Sequence, residues 1–358
     1  MKILYYGSCW PTNIGNAFVN WGAIAALRRA VGDRARVYHF GGLSSYLFMV
    51  HGRGGNNLAI AEWADFDYVV MGGMTQSEEH FRSAGPLLEG FLKKGTRLVI
   101  AGGGAERYDD DEVRAVRQWM DRYPVYGFIS RDSYSYERYG DAATHALDGI
   151  DSAFFVPQGF DPIPLASRAF SVFAFDTMAE PTALHVGDEP AGRGEADHAP
   201  PDPPARAGLG WLVNGANRRV RSAVGAARGR GRRGGLPAND ATVDLEGRRL
   251  VRTHHSPWPT SLREEYLARP NTLISDLPSD FLSLYAQAHT VYSDRVHACI
   301  AALAFGNRAM LFGRDIPRLR MFERLGLSEI VQRPVRLEPE RLRREGDAQV
   351  EFLRRVLV

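Results

Sequence analysis

"TRLVIAGGGAERYDDDEVRAVRQWMDRYPVYGFIS", residues 96–130, decides the fold. An apolar run breaks into three glycines at 102–104, and "DDEVRAVRQWMDRY" (110–123) then carries apolar residues at helical spacing. "VYGFIS" (125–130) is apolar again. Strands without a polar face, alternating with helices, predict a parallel sheet covered on both sides. Working outward, "MKILYY" (1–6), "ARVYHF" (35–40) and "FDYVVMGG" (66–73) read as further strands, and "NAFVNWGAIAALRRAVG" (16–32) as a helix stopping at Gly32. From about residue 246 the alternation resumes. "RRLVRTHH" (248–255), "NTLISD" (271–276), "HTVYSD" (289–294) and "RAMLFG" (308–313) read as strands. "TSLREEYLA" (260–268), "SDFLSLYAQA" (279–288) and "VHACIAALAFG" (296–306) read as helices between them. "FSVFAFD" (170–176) is the first strand of this second half.

The expected architecture is therefore α/β, with two doubly wound Rossmann-like domains facing a cleft. An N-terminal domain covers 1–160, a C-terminal domain 161–335, and a C-terminal helical segment 336–358. A length of 358 residues agrees with two cores rather than one. Within the second domain, the stretch 177–245 has little to bury. Residues 177–205 hold six acids and one arginine, and 206–233 hold eight arginines and no acid, amid Pro, Gly and Ala. That composition predicts a disordered insertion, and a solvated loop is a better reading of its arginines than an RNA contact.

The bulk numbers exclude several classes. A net charge of +2 gives no whole-protein field for nucleic acid or anionic membrane. Two cysteines, Cys9 and Cys299, lack metal-ligand spacing and do not make a disulfide scaffold. The N-terminal apolar stretch is too short for a signal peptide, and no window reaches the roughly 20 apolar residues of a membrane span. A cytoplasmic protein is the expectation. Only three of the 44 basic residues are lysine, a bias that makes any single arginine weaker testimony of purpose.

Chemistry concentrates in "VYSDRVHACIAALAFG" (291–306). A strand ends at Ser293, Ser293 or Asp294 is the expected N-cap, and a helix without a polar face runs from Arg295 to about Phe305. Its first turn alone is wet. The helix dipole and the Arg295 fork favour an anion there, and His297 is suited to acid or base work near neutral pH. The plain structural alternative has Asp294 capping, Arg295 paired with a surface acid and His297 as an interior histidine. Position at a strand's carboxyl end favours the functional reading. A second constellation, Arg131-Asp132-Ser133-Tyr134-Ser135, opens another helix after a strand. Asp132 or Ser133 can cap it, and Arg131 is a second anion ligand if it points into the cleft. The loop "GSCWPTNIGNAFVN" (7–20) is polar at a helix start but lacks a dinucleotide fingerprint. Gly72 and Gly73 offer permissive backbone at a strand end. His254 and His255 are adjacent, so they point to opposite sides of a strand and do not pair on one metal; one of them can line the cleft.

In order and spacing these motifs resemble the polysaccharide pyruvyl transferase family. The resemblance rests on Asn13-Ile14-Gly15-Asn16, "DYVVMGGM" (67–74), Arg131-Asp132-x-x-Ser135, Asp151-Ser152-Ala153-Phe154 and Ser293-Asp294-Arg295-Val296-His297. It spans roughly 1–160 and 246–330. Asn16 stands where the family has Asp, Met74 where a third glycine is usual, and Val296 where Leu is. The resemblance implies a glycosyltransferase-B-like fold and transfer of pyruvate from phosphoenolpyruvate onto a sugar as a ketal, without metal or cofactor. His297 and Asp294 are then the expected catalytic residues. Arg295, Arg131, Ser135, Asn13, Gly15, Asn16, Gly72 and Gly73 are the expected substrate-binding ones. The acceptor would be a glycan or lipid-linked sugar. The alternatives are a nucleotide-sugar-dependent glycosyltransferase of the same shape and a catalytically silent relative that binds glycan or a partner.

Overall fold

A computed structural model describes residues 1–7, 10, 13–41, 58–167, 169–176, 178, 180–181, 247–255, 271–313 and 316–358. The helix expected over 260–268, Cys9 and nearly all of the insertion expected over 177–245 lie outside these residues.

The first sheet contains β1 (Lys2–Gly7), β2 (Arg36–Gly41), β3 (Tyr68–Gln76), β4 (Arg97–Ala105), β5 (Val125–Ser130) and β6 (Ala143–Asp148). Its order is β2-β1-β3-β4-β5-β6 and every pairing is parallel. Helices α1 (Gly15–Val31), α2 (Ile60–Trp63), α3 (Glu78–Lys93), α4 (Asp110–Arg122) and α5 (Ser133–Tyr139) connect the strands. The second sheet contains β7 (Phe170–Ala174), β8 (Arg249–Thr253), β9 (Thr290–Ser293), β10 (Arg308–Leu311) and β11 (Val335–Arg336), in the order β11-β10-β9-β7-β8. Only β11 is antiparallel. With it go α6 (Pro278–Tyr285), α7 (Val296–Ala304), α8 (Ile316–Glu323) and α9 (Pro339–Leu357). The chain thus forms the two Rossmann-like sheets that the alternation predicts, in a glycosyltransferase-B-like arrangement.

Three strand assignments differ from expectation: β6 and the two-residue β11 carry no apolar run to mark them, and one marked run is not a strand. β6 lies at a sheet edge and none of its residues is fully buried, so "ATHALD" lacks the apolar run that marks the central strands. "NTLISD" is not a strand: it makes a single bridge, Arg252 to Thr272, and Ile274 is exposed.

The halves meet on α1. This helix is buried nearly all round, as expected of one covered on both sides. Phe18 turns its ring edge toward Tyr285 and His255 of the second half, with centroids 6.0 and 5.6 Å away. One apolar cluster therefore runs through both halves. α9 returns the chain to the first half. Its buried residues, including Gly346, Val350, Leu353 and Leu357, recur at helical spacing, and Val356 packs where a Cβ on Gly127 would stand.

In each sheet the strand order reverses at one point, between β1 and β3 and between β7 and β9. Such points leave a crevice at the carboxyl ends of the strands. The loop entering α1 follows β1, and the segment entering α7 follows β9.

Candidate active site

The turn from β9 into α7 is built by its neighbours. Ser293 Oγ donates to the Ala174 carbonyl (2.8 Å) and accepts the Arg295 amide (2.7 Å). The Asp294 carboxylate accepts the amides of Asp176 (3.1 Å) and Met178 (2.8 Å), just beyond β7. Neither side chain caps α7, contrary to expectation. Arg295 occupies the N-cap position without a side-chain cap bond, and the helix begins one residue later than predicted, at Val296. The reason is local: amides in the turn after β7 take the Asp294 oxygens that a cap would use. Behind the first turn, residues 298–303 are buried without exception, so the turn is rigidly mounted.

His297 crosses to the first half. Its Nε2 stands 3.5 Å from Asp151 Oδ2, and neither atom has a hydrogen-bond partner among the described residues. Asp151 is wholly buried, follows β6, and uses Oδ1 to accept the Ala153 amide (2.8 Å) at the head of a 3-10 segment, Ser152–Gln158. Burial works to raise the Asp151 carboxyl, but the His297 imidazole and the Arg131 guanidinium hold it below the ordinary carboxylate range. Asp151, not Asp294, therefore orients the histidine. Gly15, first residue of α1, lies against the other edge of the ring: a Cβ there would be 2.9 Å from His297 Nδ1.

Arg131 is not an open anion ligand. It is 2% exposed, donates from Nη2 to the Ala105 carbonyl (3.1 Å) and lies flat over Gly104, where a Cβ would strike its Nε at 2.0 Å. Burial opposes its charge, but Tyr108, Asp132 and Asp151 around it raise its pKa further. Tyr108 reaches Asp132 (2.8 Å) from a strained backbone with φ +62°. Three amides, of Glu106, Arg107 and Tyr108, donate to the Glu112 carboxylate and fix that loop. Arg131 thus stands behind Asp151 as a buried countercharge.

Arg295 is differently placed. Its Nε donates to Asp176 Oδ2 (2.6 Å), while among the described residues neither Nη has a partner. The same carboxylate accepts the His255 amide (3.0 Å) and faces His254 Nδ1 (3.3 Å). His254 lines this cluster. His255 turns inward, its ring on the Tyr285 hydroxyl (2.6 Å), and its carbonyl accepts the Ile14 amide of the first half (2.8 Å).

The remaining expected residues divide. Asn13 Oδ1 accepts the Gly15 amide (3.1 Å), and the Asn13 carbonyl accepts the Asn16 amide (2.9 Å), so this loop is folded against His297. Ser135 is buried in the first turn of α5, its amide on the capping Asp132 (2.7 Å), away from the cleft. Gly72 is buried within β3, where a Cβ would lie 2.8 Å from the Tyr5 hydroxyl. Gly73 is buried beside it with φ +87° at a break in strand register. Packing explains both glycines.

Asp151 and Asp176 are the residues to which the sequence reading gave no role. Each carried a signal: an acid between a strand and an apolar helical start, and an acid closing an apolar strand. Among the described residues no group of three or more His, Cys, Asp or Glu is placed to hold a metal, and no helix is long and apolar enough to cross a membrane. A groove of about 990 Å³ along α1 and α9, lined by Trp21, Arg28, Phe160 and Arg343, shares no residue with the His297 cluster.

No family model matches this chain, and no curated protein does. Among solved structures it is similar to S. aureus MnaA in a co-structure with UDP (10% identity, TM-score 0.49, covering 99% of this chain and 90% of that one). It is also similar to the UDP-GlcNAc 2-epimerases of Methanocaldococcus jannaschii (11%, 0.47, 100% and 98%) and of Neisseria meningitidis bound to UDP-GlcNAc (11%, 0.46, 99% and 94%). These likenesses concern the course of the chain and leave its chemistry to the residues described above.

Proposed function

We propose that this chain is a transferase acting on a sugar, and that it moves the pyruvyl group of phosphoenolpyruvate onto two sugar hydroxyls as a ketal. One observation carries the reading: His297 stands against a buried carboxylate of the opposite half, and among the described residues the Arg295 fork in the same turn is unengaged. His297, standing 3.5 Å from the Asp151 carboxylate, is placed to give and take a proton. His297 gives its proton to the enol methylene as a sugar hydroxyl attacks the adjacent carbon. The neutral ring then takes the hydroxyl proton. A second hydroxyl forms the other carbon–oxygen bond as the carbon–phosphate-oxygen bond breaks, and its proton leaves with the inorganic phosphate. Arg295 binds the donor's phosphate or carboxylate through its two Nη groups.

The test is phosphate release from phosphoenolpyruvate with candidate glycans as acceptors. Undiminished release by His297→Ala would overturn the mechanism. A second reading is a nucleotide-sugar enzyme, favoured by the uncapped start of α7 beside Arg295, a suitable seat for a diphosphate. UDP-GlcNAc, named for one of the structural neighbours, is the appropriate probe. Thermal stabilisation by UDP and not by phosphoenolpyruvate would select this second reading.

A further inference from the structure

We propose that Asp176 is a positioning residue that aims the Arg295 guanidinium, and so sets the affinity of the cleft for an anionic donor. The inference rests on the reading above that this cleft receives an anion. The Asp176 side chain is 1% exposed, two residues beyond β7, and the residue's own amide is fixed by Asp294. Its carboxylate meets three groups: Arg295 Nε, the His255 amide and His254 Nδ1.

The manner of the Arg295 contact is the informative part. Arg117 offers a contrast, giving Nη1 and Nη2 to the two oxygens of Asp141 at 2.7 and 2.8 Å. Asp176 takes only Nε of Arg295, at 2.6 Å, and leaves the fork without a partner among the described residues. An arginine bound by its Nε has its side-chain torsions fixed while both Nη groups stay available for two oxygens of a phosphate or carboxylate. Asp176 can hold a charge in this buried place because His254, Arg295 and His255 surround it. Burial works to raise its carboxyl, yet these groups keep it below the ordinary range. Asp294, expected to do chemistry itself, instead supports Asp176.

The role is tested by titrating wild type, Asp176→Asn, Arg295→Ala and the double variant with phosphoenolpyruvate and with inorganic phosphate. Initial rates with phosphoenolpyruvate are measured alongside. Loss of one charge-assisted bond should weaken binding of both anions about tenfold or more in Asp176→Asn, raising KM with kcat nearly unchanged. In the Arg295→Ala background the same substitution should have almost no effect on binding. Asp176→Glu keeps the charge but displaces the fork. It should fall between wild type and Asn, and it serves should Asp176→Asn not fold. The proposal is overturned if Asp176→Asn lowers kcat and spares KM, or if it weakens anion binding equally without Arg295. It is also overturned if Arg295→Ala binds both anions as well as wild type does, or if wild type binds neither. Wild type that binds both anions through Arg295 but releases no phosphate from phosphoenolpyruvate would instead refute pyruvyl transfer and leave the role of Asp176 standing.

Discussion

His297 and Asp151 belong to opposite halves of the molecule, yet Nε2 of one stands 3.5 Å from Oδ2 of the other. The pair exists only while the two sheets hold their places, so the site and the domain packing are one problem here. Asp151→Asn keeps the shape but removes the carboxylate that faces the His297 ring. Phosphate release should fall about 10²-fold in kcat, with KM for phosphoenolpyruvate little changed. An unchanged kcat would remove Asp151 from the mechanism.

Gly15 is where a small change should separate activity from stability. A methyl group there would sit 2.9 Å from both Cβ and Nδ1 of His297, tighter than ordinary contact. Gly15→Ala should move the ring off its axis and lower kcat by about tenfold or more. The urea midpoint should move little, because Gly15 is the first helical residue. Full activity in this variant would show that the Nδ1 edge is not the working one.

Gly22 predicts the opposite. A Cβ at Gly22 would stand 1.9 Å from the Ser152 carbonyl oxygen, a backbone atom that cannot swing aside. Gly22→Ala should cost about 1–3 kcal/mol by overpacking, read from urea denaturation. It should also push back the 3-10 segment that begins after Asp151, so activity falls with stability. A stable and fully active variant would contradict this packing.

Acid should weaken the fold in two stages. Burial pushes the His80 imidazole down from 6.5 to about 4; burial likewise takes His255 to about 3 against the opposing pull of Asp176. Between pH 6.5 and 4 the unfolded chain therefore binds more protons than the folded one, and stability falls as pH falls. Below the ordinary carboxyl value of 3.8, protonation of Asp151 and Asp176, both held lower in the fold, removes more. His80→Leu should flatten the first stage by about one proton in urea titrations at stepped pH. A slope identical to wild type would show that His80 is not buried neutral.

Phe18 is the apolar joint between the halves. Phe18→Ala should destabilise by about 3–5 kcal/mol, since its surroundings come from two domains and collapse poorly. Calorimetry should also show the single transition broadening or splitting as the halves uncouple. A loss below about 1 kcal/mol would show the joint lies elsewhere.

Central strands were readable because burial on both faces writes itself as an unbroken apolar run: Val69–Met71, Leu98–Ile100 and Val291–Tyr292 are all of this kind. Edge strands such as β6 carry no such record. The site was legible by the same logic only in part. Arg295 and His297 stand out because charges are rare at the mouth of a buried helix. Asp151 and Asp176 look like caps and strand ends until the tertiary fold turns them toward those charges. Arg131 and Ser135 show the converse, a motif whose members face inward. No spacing rule reports on which side of a strand end a guanidinium will lie.

The return of α9 carries a consequence for how the chain is made. Tyr68 donates its hydroxyl to the Val356 carbonyl (3.2 Å), and Ile150 gives its amide to Gln349 (3.0 Å). The first sheet is thus complete as a ladder after about 150 residues but lacks the cover of α9 on one flank until residues 339–357 have been made. Apolar surface on that flank is therefore covered late in synthesis, when the nineteen-residue α9 docks on it.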